Sequence, residues 1–112
     1  MNIASEIINE VKVLELSGSF DIYSATPVRY WLEQTLEQPP ARIVVDLSNV
    51  NFIDSTALAI LMQGIKKARE ANGDIYICGL QQPVRMVLEL TRLDNVFEIY
   101  PNKEQAIIGF NR

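Results

Sequence analysis

The segment "NVNFIDSTALAIL", residues 49–61, decides how this chain is read. Three polar residues, Asp54, Ser55 and Thr56, stand between apolar blocks of different spacing. Downstream, Leu58, Leu61, Met62, Ile65 and Ala68 recur at helical intervals, and Lys66, Lys67 and Glu70 lie away from that face. Upstream, "RIVVDL" (42–47) is a β-branched run without alternation, as in a strand flanked on both faces. The polar triplet is therefore expected in a turn between a strand ending near Leu47 and the longest helix. Asn72-Gly73 ends that helix, with Gly73 free to take a positive φ.

The pattern extends both ways. In "NIASEIINEVKVLELSG", Ile3 and Ile7 alternate with Ala4 and Glu6, and Val11 and Val13 flank Lys12, so two strands form a hairpin reversing at Asn9-Glu10. Gly18 is expected to end the second strand, and "SFDIYSA" to form a loop. "TPVRYWLEQTLEQPP" reads as a helix with Thr26 as N-cap and Pro27 at its first position. Val28, Trp31, Leu32 and Leu36 make its buried face, and Pro39-Pro40 stops it. "DIYICGL" is a second buried strand, and "QPVRMVLELTRL" a helix with Pro83 at its first position and Val84, Val87 and Leu88 inward. "VFEIY" is a last short strand and "NKEQAIIGF" a last short helix. The order β-β-α-β-α-β-α-β-α implies one α/β domain over residues 1–112, with a mixed, mainly parallel sheet and helices packed against it.

Composition narrows the function. A chain of 112 residues with 48% hydrophobic and 21% charged residues can bury roughly two thirds of its unfolded surface in one core. The net charge of −4 and the scattered basic residues argue against nucleic-acid binding. Lys66, Lys67 and Arg69 read as a solvated helix face. The chain has no histidine, which excludes a Ser-His-Asp triad, a Cys-His pair and a His-ligated zinc site. Its one cysteine, Cys78, reads as a small core hydrophobe and permits no internal disulfide, as in a cytoplasmic protein. No acidic cluster has metal-ligand spacing, no phosphate-binding glycine loop is present, and no apolar run is long enough for a membrane helix. The expectation is a protein with no catalytic residues, no metal and no cofactor.

On the residues alone, the Asp-Ser-Thr triplet has two readings. Asp54 or Ser55 can cap the helix for about 1 kcal/mol, with Leu58 where a capping box would carry Glu or Gln. Equally, a hydroxyl at a helix N-terminus is a favourable place for a phosphate, whose charge of about −1.5 to −2 is stabilised by backbone N–H groups and the helix dipole. Asp21 follows the preceding strand and would share a rim with Ser55 if the two strands are neighbours.

Three stretches, "GSFDIYSA", "VVDLSNVNFIDSTALAIL" and "GLQQPVRMVLELTRLDNVFEIYPNKEQAI", resemble the STAS domains of bacterial anti-sigma-factor antagonists. The resemblance spans nearly the whole chain. It implies a STAS-like α/β fold and a regulatory protein that binds, when unphosphorylated, a GHKL-type anti-sigma serine kinase and so releases a sigma factor. Phosphorylation by that kinase switches the antagonist off, and a PPM-type serine phosphatase restores it. By position the phosphoacceptor is Ser55, with Thr56 the weaker candidate. Asp21, Asp54, Ser55, Thr56 and Ala57 fall on the partner-binding element. The implied state is a monomer or weak dimer that binds neither nucleic acid nor membrane. The family's usual Asp-Ser-Ser/Thr-Gly-Leu-Gly element here carries Ala57 and Ala59 in place of both glycines. Each change favours the helix by roughly 0.5–1 kcal/mol and adds a methyl group where a kinase must approach. Ser19 stands where the family often has Glu. Two other roles fit the resemblance: an unphosphorylated STAS subunit of a larger lipid-transport or stressosome-like assembly, and a nucleotide-binding STAS module.

Overall fold

A computed structural model describes residues 1–112. Strands β1 (Asn2–Ile8) and β2 (Val11–Phe20) pair antiparallel, with Ile8 opposite Val11. Asn9 and Glu10 turn the chain with φ of 50° and 69°, the two positive values that a tight two-residue hairpin loop needs. From β2 onward every pairing is parallel, through β3 (Arg42–Ile53), β4 (Asp74–Cys78) and β5 (Glu98–Tyr100), and the spatial order is β1-β2-β3-β4-β5. Helices α1 (Ala25–Leu36), α2 (Ser55–Glu70) and α3 (Gln82–Leu90) carry the crossovers, a 3-10 turn spans Leu93–Asn95, and α4 (Lys103–Phe110) closes the chain. This is the expected order of elements in a mixed, mostly parallel sheet.

Alternation along the strands splits the interior into two layers. Leu14, Leu16, Ile43, Val45, Ile75 and Ile77 meet Val28, Leu32, Leu61, Ile65, Val84 and Leu88 of α1, α2 and α3 in the main core. Val11, Val13, Val44 and Cys78 point the other way, onto Ala106 and Ile107 of α4. Strand β3 is thus covered on both faces, the reason its first half lacks alternation. Cys78 is fully buried, and burial pushes its thiol up to about 12, with the nearby Asp46 carboxylate acting in the same sense.

The structure moves several boundaries. Gly18 does not end β2: it takes φ of +104° beside register shifts in the β2–β3 ladder, and pairing continues to Phe20 opposite Ile53. A bulge, not a stop, is what this glycine permits. Strand β3 likewise runs past Leu47 to Ile53, because β2 continues to pair with it after β4 has ended at the Asp46–Cys78 pair. Helix α1 starts at Ala25, so Thr26 lies inside it and caps nothing. Its buried residues are Ala25, Val28, Leu32 and Thr35, whereas Trp31 and Leu36 pack only partly against the core. Pro83 is the second residue of α3, which starts at Gln82. At the end of α2 it is Asn72, not Gly73, that takes the positive φ, at 64°. Gly73 has a different use: a Cβ there would run into the Ala41 backbone.

Candidate functional site

Strands β2 and β3 end side by side, and their last pair, Phe20 and Ile53, places Asp21 and Asp54 on one rim. The neighbouring strands assumed for that rim are therefore present. Asp54 joins its two loops. Its backbone is extended, and its Oδ1 accepts the Ala57 N–H at 3.0 Å, which makes it the N-cap of α2. Its Oδ2 accepts the Ile22 N–H at 2.9 Å, and its own N–H donates to the Phe20 carbonyl at 3.3 Å. One carboxylate therefore ends a helix and tethers the loop after the adjacent strand.

That second loop is ordered by short-range bonds. Asp21 Oδ1 accepts the Tyr23 N–H at 3.0 Å, a side-chain turn of the kind aspartate favours. The Asp21 N–H donates to Ser24 Oγ at 3.0 Å, and Ser24 Oγ donates to the Ser19 carbonyl at 2.8 Å. Ser24 is thus committed to the loop and gives α1 no side-chain cap.

Ser55 is the first residue of α2 and is exposed, Thr56 is half-buried, and Ala57 is fully buried. With Asp54 as N-cap, Ala57 occupies the third helical position, which Leu58 was expected to hold. Ala57, expected on the partner-binding element, is fully buried with its methyl toward the core, and its N–H is held by Asp54. Of the two alanines that replace the family's glycines, only Ala59 is exposed, so only its methyl can meet an approaching protein. The Ser55 and Thr56 N–H groups belong to the first turn, where no intrahelical acceptor is available. A charged oxyanion on the Ser55 hydroxyl would lie against those donors and the positive end of a 16-residue helix.

Three exposed side chains outside the expected site set lie at the rim; of these the sequence placed only Tyr23, after the same strand as Asp21. Tyr23 is 95% exposed, Ile22 61% and Phe52 51%. Ile22 and Tyr23 sit on the loop that Asp54 and Asp21 hold in place, and Phe52 lies three residues before Ser55. The available signal was local: two large apolar residues between Asp21 and Ser24 that match neither the strand period before them nor the helix period after them. No group of three or more His, Cys, Asp or Glu side chains is placed to hold a metal ion, and no helix is long and apolar enough to cross a membrane.

A family profile described as the STAS domain matches residues 2–106. The chain belongs to the STAS-domain family. Among characterised relatives, this STAS domain is 26% identical over 98 residues to the anti-sigma F factor antagonist of Paenibacillus polymyxa, a match covering 87% of the chain and 84% of the relative. It is 28% identical over 96 residues to the anti-sigma-B factor antagonist of Listeria monocytogenes serovar 1/2a, covering 86% and 83%. The crystal structure of an anti-sigma factor antagonist from Mycobacterium paratuberculosis superposes with a TM-score of 0.88 at 28% identity, covering 99% of this STAS domain and 94% of that chain. The resemblance drawn from the sequence and the matching fold point to one family.

Proposed function

We propose that this STAS domain is an anti-sigma-factor antagonist of the cytoplasm, controlled by phosphorylation of Ser55. In the unmodified state the rim formed by Asp21, Ile22, Tyr23, Phe52 and Ser55 docks on a GHKL-type anti-sigma serine kinase and displaces its sigma factor. The kinase phosphorylates Ser55, and a PPM-type phosphatase removes the phosphate. The observation that carries this reading is the double use of Asp54, which caps the helix beginning at Ser55 and holds the exposed Ile22-Tyr23 loop beside it. An acceptor hydroxyl and a rigid apolar anchor are thereby presented together. Aromatic and aliphatic anchors of this kind tend to dominate binding energy.

The switch acts through charge. Within the chain, a phosphate on Ser55 is favourable against the first-turn N–H groups. Across an interface it must be desolvated, with Asp21 and Asp54 adding like charge nearby. A poorly paired buried charge costs about 3 kcal/mol or more, so affinity for the kinase falls by roughly a hundredfold or more. Incubation with candidate kinases and ATP, followed by intact-mass measurement, should show a single phosphate that Ser55→Ala abolishes. Calorimetric titration should then show the loss of affinity, while circular dichroism stays native. Equal affinities for the two forms would sink the switch, and phosphate on Thr56 would move the acceptor by one residue.

A further inference from the structure

Ser24 stands at the N-cap position of α1, yet its hydroxyl bonds no N–H of that helix. The reason is in the sequence. A capping serine accepts the N–H of the second or third helical residue. In α1 the third residue is Pro27, which has no N–H. The hydroxyl turns back instead. It donates to the carbonyl of Ser19, near the end of β2, at 2.8 Å, and accepts the Asp21 N–H at 3.0 Å. Every N–H from Asp21 to Ser24 is thereby taken. Asp21 donates to Ser24 Oγ, Ile22 to Asp54 Oδ2, Tyr23 to Asp21 Oδ1, and Ser24 to the Asp21 carbonyl, all at 2.9 or 3.0 Å. Burial does not demand this closure. Ile22 and Tyr23 are exposed, and water can satisfy the N–H groups of an exposed loop.

We infer, on the docking role proposed above for the rim, that Ser24 is a positioning residue: its hydroxyl locks the Ile22-Tyr23 anchor into its docking shape before a partner arrives. Two ties hold the loop. Asp54 grips it from the start of α2, and Ser24 grips it from the end of β2. Ordering a loop at the moment of binding lowers affinity, and a competent shape that is populated only in part lowers it by that fraction. With both ties in place, the Tyr23 ring is presented in one position although almost none of it is buried. Ser24 acts through these neighbours, at the expense of a side-chain cap on α1.

Ser24→Ala should leave the fold intact, with thermal unfolding moved by less than about 4 °C, because no helix cap is lost. Amide exchange at Tyr23 and at position 24, whose N–H groups do not donate to the lost hydroxyl, should speed up roughly tenfold. Affinity for a kinase that phosphorylates Ser55 should fall roughly tenfold in calorimetric titration. Ser24→Thr, which keeps the hydroxyl, should restore both. In a chain that already carries Ile22→Ala and Tyr23→Ala, Ser24→Ala should change affinity by less than about twofold, since no anchor remains to be positioned. Unchanged exchange in Ser24→Ala, or an undiminished loss of affinity in the chain without the anchor, would overturn the proposal and leave the docking rim standing. Kinase binding that survives Ile22→Ala and Tyr23→Ala intact would remove the rim and the role of Ser24 together.

Discussion

Helices α2 and α4 begin alike. Asp54 and Asn102 are both extended, and each side chain accepts the N–H three residues on, at 3.0 Å from Ala57 and 2.9 Å from Gln105. The difference lies in the next residue along the chain and in the second oxygen of the cap. After Asn102 comes Lys103, which reaches Glu6 and Glu15 and binds the helix to the sheet beneath it. After Asp54 comes an exposed serine, and the spare carboxylate oxygen reaches across to the Ile22 N–H. One cap serves its own helix. The other couples a helix start to a neighbouring loop, and that coupling, not the cap geometry, distinguishes a site from a helix end.

Substitution at the two caps should break the comparison. Asp54→Ala removes a cap of about 0.5–2 kcal/mol and a charge-assisted bond as well, so a loss of about 2–3 kcal/mol is expected. Thermal unfolding should show a drop on the order of 10 °C. Asp54→Asn keeps an acceptor for Ala57 and should recover most of this loss, while amide exchange at Ile22 stays fast. Protection of Ile22 in that variant would show that its N–H does not depend on the second carboxylate oxygen.

Asn102→Ala should cost about 1 kcal/mol, the loss of a simple cap. Its effect should stay local to α4, with the amides of residues 21–24 unshifted in NMR spectra. Shifts there as large as those of Asp54→Ala would erase the distinction between the two helix starts.

The smallest effect belongs to Ser55→Ala. Because Asp54 is the cap, the Ser55 hydroxyl is not part of the helix start, and alanine is the better helix former. Stability should change by less than about 0.5 kcal/mol in denaturant unfolding. A larger loss would give Ser55 a structural bond that competes with its role as a modification site.

The order of elements was legible because periodicity switches cleanly between strand and helix, and the hairpin because Asn9-Glu10 separates two alternating runs. The outer half of β3 was not. Ser48, Asn49, Asn51 and Phe52 are exposed, so Val50 is the one core residue of the "SNVNF" segment, too little to read as a strand, and the segment's pairing with β2 is not visible in its own spacing. Gly18 misled for a related reason: a glycine at positive φ marks a bulge as readily as an end. At the rim, the position of Ser55 came from the resemblance, and its exposure at the start of α2 is compatible with that role. The burial of Ala57 depends on which residue caps the helix, and the Asp54–Ile22 bond spans 32 residues of sequence. Neither is written in local spacing.

Cys78 has a use in the hands of the experimenter. Burial pushes its thiol up to about 12, so almost no thiolate is present at neutral pH, and no surface is open to an alkylating reagent. Labelling must therefore wait until β4 separates from α4, and its rate becomes a clock for that opening under native conditions, without denaturant. Any molecule that binds only the closed form should slow the clock in proportion to its occupancy. A single sulfur in the smaller core layer would then report binding at the Ser55 rim.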